Sequence, residues 1–551
     1  MSPRWTAAAG TLAGAAAMIT LVNLASRLVG FLRQIALVAN VGPTAVGDIY
    51  LKANTVPNVM FEVAAGGALA GAIVPLLAGP VARRARVESS AIASALLTWA
   101  LVILVPVAVL VALLADLIVP VLNVAPGEPS ELAAYFLRVF ALQIPLYGVG
   151  TVMSGVLQSH RRFFWPAAAP MLSSVVVIAT YVVFGAVSGG SDAAVGQIPA
   201  SALAWLAWGT TAGVVAMSLP LLVPAYRTGL RLRLTLRFPG GEGRRARALA
   251  IAGVGALLAQ QVSVVAVMWS SGRFDDDGAY TVYFSTQTVY FLPYAILAVP
   301  LATSAFPRLA QRASAGDRAG FSHLLALTTR GLLTITAAGA AALVAASAAV
   351  ESAFSSFSQG SVAGMTQGVV WMAPGLLGFA LIFHLSRALY SLDHGRSAVL
   401  ATSAGWLVAA ACAVVLPALV VPDAAPAAAR TAAEAEAVRD GILAALGAAS
   451  SIGMTVAGVL LLLAVRRHGG PRTVEGLGRT LPVALGGAVA GGVLGYVLTV
   501  NVLPAQASLA AAIAVGLGGA LVAVAVLLAA SLVLDRSALV SVLRPSAVAD
   551  D

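Results

Sequence analysis

Polar and charged side chains occur within strongly apolar sequence near the start of the chain, where they could bind a charged ligand. The candidate site residues are Asn23, Arg27, Arg33, Asp48, Lys52 and Glu62. Each charge placed in a membrane costs about 2.5–3.5 kcal/mol on insertion scales, so such residues indicate a functional site. Asp48 and Lys52 are four residues apart and therefore share one helical face. We predict a polar cavity of net positive charge, lined by the first two apolar segments.

Arg27 is the leading candidate for a ligand contact. It stands 16 residues into the first apolar segment, or roughly 24 Å along a helix, which is deep for a side chain that must reach cytoplasmic water. A guanidinium stays protonated and binds phosphate through two parallel hydrogen bonds, which indicates an anionic ligand. Two alternatives stay open: Asp48 and Lys52 as an ion pair at the membrane interface, and Arg33 extending outward to water.

Other chemistries are not indicated by the sequence. None of the five histidines has the spacing of a metal site or of a paired nucleophile, and we find no nucleotide-binding glycine loop. The single cysteine, Cys412, excludes a disulfide framework and a cysteine-based metal cluster. We therefore predict that the chain is not an enzyme, with no catalytic residue, no metal site and no cofactor.

The composition determines the class of protein. Of the 551 residues, 60% are hydrophobic and only 10% are charged, against about 45–50% and about 25% in soluble domains. The apolar runs are long and continuous, which favours transmembrane helices over barrel strands. The net charge of +10 is attributed to loop arginines, so no nucleic-acid partner is expected. The chain is predicted to be an all-α polytopic membrane protein.

Fourteen apolar segments have the length of membrane spans. They cover residues 11–40, 47–79, 90–122, 131–158, 165–187, 201–225, 248–271, 279–307, 322–350, 365–392, 397–421, 441–465, 480–502 and 507–534. Alternate connections between them hold most of the arginines, and the remaining connections hold most of the acids. Because arginines are enriched in cytoplasmic loops, this alternation predicts that both termini are cytoplasmic.

Two sequence matches indicate an internal repeat. The pairs Pro75-Leu-Leu-Ala78 and Pro307-Arg-Leu-Ala310, and Ser154–Ser159 and Ser386–Ser391, are both 232 residues apart. Parallel repeats are typical of transporters that bind substrate between two halves. We predict an N-terminal lobe over residues 1–226 with six spans, a basic cytoplasmic linker over 227–247, a C-terminal lobe over 248–467 with six spans, and two further spans with a cytoplasmic tail over 468–551.

The basic linker contains the alternating run Arg231-Leu-Arg-Leu-Thr-Leu-Arg237. We expect it to lie on anionic lipid headgroups, because clustered arginines next to a membrane span are attracted to them. A direct role in substrate binding is the alternative. Residues 422–440 are predicted to form an external loop that is flexible or helical.

Several motifs in the N-terminal quarter are specific enough to indicate a family. They are Ser26-Arg-Leu-Val-Gly-Phe-Leu-Arg33, Gly42, Asp48, Val56-Pro-Asn58, Gly67-Ala-Leu and Ile73-Val-Pro-Leu-Leu77. This pattern resembles the MurJ (MviN) family of lipid II flippases in the MOP transporter superfamily. Residues 290–310 resemble the eighth helix of that family, and residues 386–396 resemble its tenth.

The resemblance implies two six-helix lobes around a V-shaped central cavity, with spans 13 and 14 forming a groove for a polyprenyl tail. It implies that Arg27 and Arg33 match the two first-helix arginines of the family and that Asp48 matches its second-helix aspartate. The implied substrate is lipid II, an undecaprenyl- or decaprenyl-diphosphate-linked peptidoglycan precursor, flipped across the bacterial plasma membrane for cell-wall biogenesis. Membrane lipids and the cell-wall synthesis machinery are the other expected partners.

The chain departs from the family at several positions. Phe61-Glu62 and Gly66 stand where many members have arginines and an acid, and Thr288 replaces an arginine of the eighth helix. Sodium-site acids described for some members have no counterpart in span 11. The coupling source therefore stays open between the membrane potential and a gradient of Na⁺ or H⁺.

Two other functions stay open at this point. A flippase for another polyprenyl-linked oligosaccharide would use the same arginine cavity. A MATE-like multidrug or cation antiporter of the same superfamily would have twelve spans and acidic cavity residues.

Overall fold

The computed structural model describes residues 12–63, 70–189, 195–239, 242–274, 278–421 and 430–537, and within these ranges every regular element is a helix. Gly66 and Gly67 of the family motif lie outside the described residues, as do positions 422–429 of the predicted external loop. Residues 432–440 of that loop belong to a helix.

The chain divides into two compact units, Met1–Gln261 and Val262–Asp551. The first contains α1 (Leu12–Asn40), α2 (Ala45–Phe61), α3 (Ala70–Ala82), α4 (Arg86–Leu113), α5 (Ala115–Ile118), α6 (Glu128–Ala141), α7 (Gln143–Ser159), α8 (Phe164–Val187), α9 (Ala200–Ser218) and α10 (Leu222–Tyr226). The division falls within α11 (Glu242–Phe274). Because α11 begins at Glu242, residues 242–247 of the predicted linker are helical. Polar residues can continue a helix beyond its apolar stretch.

The second unit continues with α12 (Ala279–Pro293), α13 (Val299–Ser314), α14 (Arg318–Ser355), α15 (Met365–Met372), α16 (Gly375–Ser391), α17 (Gly395–Val420), α18 (Ala432–Gly469), α19 (Leu477–Val502) and α20 (Leu509–Leu534). A π-helical turn, Tyr294–Ala298, joins α12 to α13. Short 3₁₀ turns occur at Val119–Leu122, Val195–Gln197, Leu219–Leu221 and Pro471–Val474.

The prediction of an all-α polytopic membrane protein is confirmed. Among the described residues, eleven helices are long and apolar enough to cross a membrane, and α15 with α16, bent by 48°, would form a twelfth. These twelve coincide with twelve of the predicted spans. The other two predicted spans, 47–79 and 248–271, correspond to α2 with α3 and to α11.

The 232-residue offset of the sequence repeat recurs in the helix boundaries. α3 ends at Ala82 and α13 at Ser314; α4 begins at Arg86 and α14 at Arg318; α7 and α16 both have 17 residues and begin and end at the same offset. The left-handed turn residues follow the same spacing, at Arg84 and Gly316 and at Arg161 and Asp393. The two units therefore share a local helical pattern that extends well beyond the two sequence matches.

An aromatic cluster fixes the position of α2 within the first unit. The buried Tyr50 ring meets Phe136, Phe140 and Tyr181 edge to face, with centroids 6.0, 5.8 and 5.9 Å away. Its hydroxyl forms hydrogen bonds with the Tyr181 hydroxyl at 2.9 Å and with Thr210 Oγ1 at 3.1 Å. Because both the ring and the hydroxyl have partners, the rotation of α2 about its own axis is well determined.

The two C-terminal helices, α19 and α20, pack against α14. Gly495 of α19 lies so close to Ala345 of α14 that an added Cβ would stand 2.6 Å from the alanine Cβ, the close backbone approach typical of membrane helices. Arg330 of α14 donates to Thr480 Oγ1 at 2.7 Å and to Asp535 Oδ1 at 2.6 Å. The Arg330 and Asp535 side chains are only 12% and 1% exposed, so this ion pair is buried.

Candidate functional site

The first helix, α1, has two exposed sides of opposite character. Its exposed leucines form an apolar stripe typical of a lipid-facing surface: Leu21, Leu24, Leu28 and Leu32. At 100° per residue, Asn23, Arg27 and Arg33 lie roughly 100–160° away from that stripe. A Cβ added to Gly30 on this polar side would meet no described atom within 4 Å. The polar side of α1 therefore faces open space.

Arg27 is exposed and Arg33 is half-buried. Neither guanidinium has a hydrogen-bond or ion-pair partner among the residues that the structure describes. The helix that carries them is held against α8, where Ser26 Oγ donates to the Ala167 carbonyl oxygen at 2.9 Å. An unpaired guanidinium within a membrane protein requires water or an anion to compensate its charge. This polar side of α1 is suited to bind an anionic ligand and not to catalyse a reaction.

Asp48 and Lys52 occupy a different place. Both belong to α2 and are 1% and 2% exposed, within the interior of the first unit. Lys52 Nζ donates to the carbonyl oxygen of Asn123 at 3.3 Å. The Asp48 backbone N–H donates to the Thr44 carbonyl oxygen at 3.0 Å at the start of α2. In this conformation the two residues contribute to packing, whereas Arg27 and Asn23 are exposed.

Tyr147 of α7 contacts the end of α2 that precedes Glu62. Glu62 is exposed at the C-terminal end of α2. The Tyr147 hydroxyl donates to Asn58 Oδ1 at 2.9 Å, and its ring lies 4.5 Å from the Phe61 ring. Tyr147, which the sequence analysis did not select, thus packs against the residues of α2 that precede Glu62.

Tyr147 also belongs to a polar face that the sequence analysis missed. A cavity of about 250 Å³ in the first unit is lined on its α7 side by Tyr147, Thr151, Ser154 and Gln158. These positions recur every three or four residues, the period of one helical face, and that spacing could have indicated the site. The face adds hydrogen-bonding groups to this cavity without adding charge.

The second unit contributes a separate cationic group, Arg387 of α16. Its guanidinium carbon lies 3.7 Å from the centre of the Phe383 ring, a cation–π contact, and its Nη1 donates to Thr303 Oγ1 at 3.2 Å. The position 232 residues earlier is Gly155, so Arg387 has no counterpart in the first unit. Thr288, the other departure in this unit, donates to the Phe284 carbonyl oxygen of its own helix at 3.0 Å.

Sequence comparisons identify related proteins. A family model described as lipid II flippase MurJ matches residues 37–434. The lipid II flippase MurJ of Burkholderia cenocepacia is 27% identical over 316 residues, which are 55% of this chain and 58% of that protein. The chain thus spans just over half the length of this curated relative.

Comparison of folds gives matches over more of the chain. A solved structure of lipid II flippase MurJ in an inward closed conformation matches with a TM-score of 0.72, at 16% identity, over 95% of this chain and 99% of that one. An inward-facing MATE family multidrug resistance transporter of the MOP superfamily matches with a TM-score of 0.61, at 15% identity, over 81% of this chain and 99% of that one. At such identities these matches describe the fold alone.

Proposed function

The chain belongs to the lipid II flippase MurJ family, and on this basis we propose that it is a transporter that moves lipid II from the inner to the outer leaflet of the bacterial plasma membrane by alternating access. The observation that carries the proposal is the polar side of α1, where Arg27 and Arg33 have no hydrogen-bond or ion-pair partner among the described residues. Lipid II carries a diphosphate, and guanidinium groups bind phosphate oxygens in pairs.

The remaining predicted residues take supporting roles in this proposal. Asn23 is exposed on the same side of α1 as Arg27 and can offer its amide to the sugar portion of the headgroup. Glu62 is exposed at the C-terminal end of α2, where its carboxylate can accept hydrogen bonds from sugar hydroxyls. Asp48 and Lys52 are buried, so we assign them to positioning α2 in the present conformation.

A flippase for another polyprenyl-linked oligosaccharide is the alternative that shares this chemistry. The diphosphate would be bound in the same way, and only the sugar contacts would differ. A MATE-like antiporter for cations is less consistent with α1, because unpaired arginines repel a cationic substrate.

The test is replacement of the endogenous flippase in a bacterium that can be depleted of it. We expect this chain to restore growth and to restore access of an external enzyme to labelled lipid II in the outer leaflet. Growth failure with lipid II retained on the cytoplasmic side, at normal membrane abundance, would contradict the function. Restored exposure of a different lipid-linked saccharide, and not of lipid II, would support the alternative.

The same assay addresses energy coupling. A diphosphate that crosses the membrane changes the charge moved through the electric field, and one charge across 100 mV corresponds to about 2.3 kcal/mol. We therefore propose coupling to the membrane potential, with a Na⁺ or H⁺ gradient as a second source. Lipid II exposure that continues at full rate after depolarisation and collapse of both gradients would indicate passive movement.

We also propose that both termini are cytoplasmic, because the arginine-rich connections alternate with acidic ones along the chain. In a variant without Cys412, an impermeant thiol reagent added to intact cells should label Gln359→Cys and not Ala315→Cys. Both positions are exposed; Ala315 precedes α14 and Gln359 follows it. The reverse labelling pattern would invert the orientation.

A further inference from the structure

The basic segment that follows α10 runs along α4 as an extended strap, which we define as residues 230–238. Its backbone is anchored at regular intervals by side chains of α4 that lie four residues apart and therefore share one face. The donors and acceptors are Arg231 N to Ser90 Oγ at 3.1 Å, Arg233 N to Ser94 Oγ at 3.0 Å, Thr235 N to Thr98 Oγ1 at 3.0 Å, and Trp99 Nε1 to the Leu236 carbonyl oxygen at 3.0 Å. The strap is thus a fixed part of the first unit.

This anchoring gives the strap two edges of opposite character. In an extended backbone successive side chains point to opposite sides, so Arg231 and Arg233 share one edge while Leu232 and Leu234 share the other, and Leu234 also reaches the lining of the cavity beside the strap. Leu234 is 84% exposed. An exposed leucine edge beside an arginine edge is unfavourable in water and favourable where lipid headgroups meet acyl chains.

A cavity of about 890 Å³ lies beside the strap, at the N-terminal end of α4. Three arginines contribute to its lining, Arg86, Arg231 and Arg233, and its described lining residues include no carboxylate. Ser90 and Ser94 supply hydroxyls to the same lining. Three guanidinium groups without an acid beside them favour an anion with several oxygen atoms.

The surroundings of the cavity indicate where that anion belongs. Beyond the strap, α4 presents exposed apolar side chains over its next turns, including Val102, Ile103 and Val105. Tyr226 lines the cavity and Trp99 donates to the strap; both are exposed, and these two residue types concentrate at membrane interfaces. An anion held here would sit directly above a lipid-facing surface.

We propose that this cavity binds the phosphate of an anionic phospholipid of the cytoplasmic leaflet, with the acyl chains lying against α4 and the leucine edge of the strap. The arginines bind the phosphate, and the serine hydroxyls bind the remaining polar headgroup. The site lies within the first unit and does not depend on movement of lipid II.

The test measures lipid retention by native mass spectrometry of the full-length protein released from detergent. The probes are phosphatidylglycerol, phosphatidylethanolamine and, separately, inorganic phosphate. The pocket variant is Arg231→Gln with Arg233→Gln, and the matched control is Arg227→Gln with Arg237→Gln. The control removes the same charge from the same segment, outside the cavity lining.

We expect wild type and control to prefer phosphatidylglycerol, and the pocket variant to bind it about 25-fold more weakly, from about fivefold for each arginine. Arg86→Gln, which leaves the strap sequence unchanged, should weaken binding about fivefold and guards against a folding defect in the double variant. An equal loss in both double variants would reduce the effect to linker charge and overturn the proposal. Equal retention of the two lipids would also overturn the proposal. Displacement of phosphatidylglycerol by millimolar inorganic phosphate would reassign the site to the free ion.

Discussion

Replacing Arg27 by methionine is expected to leave the protein folded and inserted while weakening substrate binding about 10- to 150-fold. The estimate follows from the loss of one charge-assisted hydrogen-bonded contact, worth about 1.5–3 kcal/mol. Arg33→Met should have a similar effect, and if both residues bind the same diphosphate the loss in the double variant should differ from the product of the two single losses. Growth of a strain depleted of its own flippase, with membrane abundance measured in parallel, provides the readout.

Two further variants separate binding from general charge effects. Arg27→Lys should restore function only in part, because lysine keeps the charge but loses the two-pronged geometry of the guanidinium. Arg237→Met removes an exposed arginine of the strap that does not line the neighbouring cavity. The strain that carries this variant should grow normally. Full growth of Arg27→Met at normal abundance would make Arg27 a packing residue, since removal of a charge that leaves no unpaired partner is often tolerated.

The polar side of α1 could be predicted because it depends on local periodicity. Once a helix is assumed, the angle between the leucine stripe and Arg27 follows from 100° per residue. The same holds for the repeat, since the offset found in two short matches also relates the first residues of α4 and α14. The polar face of α7 had an equally local signal in the three- and four-residue spacing of its polar side chains, although none of them is charged.

The burial of Asp48 and Lys52 could not be predicted in this way. Their four-residue spacing is compatible with an exposed pair and with a buried one, and the difference depends on what packs against α2. The carbonyl that accepts from Lys52 belongs to Asn123, 71 residues away in the chain. The strap meets α4 across 137 to 141 residues, so its anchoring had no local signature either.

The largest effect on stability is expected at Arg330, a residue that the sequence analysis did not select. Arg330→Met should lower the free energy of unfolding by about 3–5 kcal/mol, because it removes the guanidinium that pairs with the buried Asp535 carboxylate. The same change removes the hydrogen bond to Thr480 that links α14 to α19. The thermal midpoint can be followed with a thiol-reactive dye, since the chain has a single cysteine, Cys412, within α17.

Two comparisons decide whether burial causes this effect. Arg138→Met breaks the ion pair between Arg138 and Asp116, whose side chains are 48% and 70% exposed. This change should lower the free energy of unfolding by only about 0–1 kcal/mol. Arg330→Met combined with Asp535→Leu removes both buried charges, and we expect it to recover most of the stability lost in the single variant. If the double variant were as unstable as the single one, the stabilisation would come from the hydrogen bonds of Arg330 to Thr480 and Ser537, and the charge of Asp535 would contribute little to holding α19 and α20 against α14.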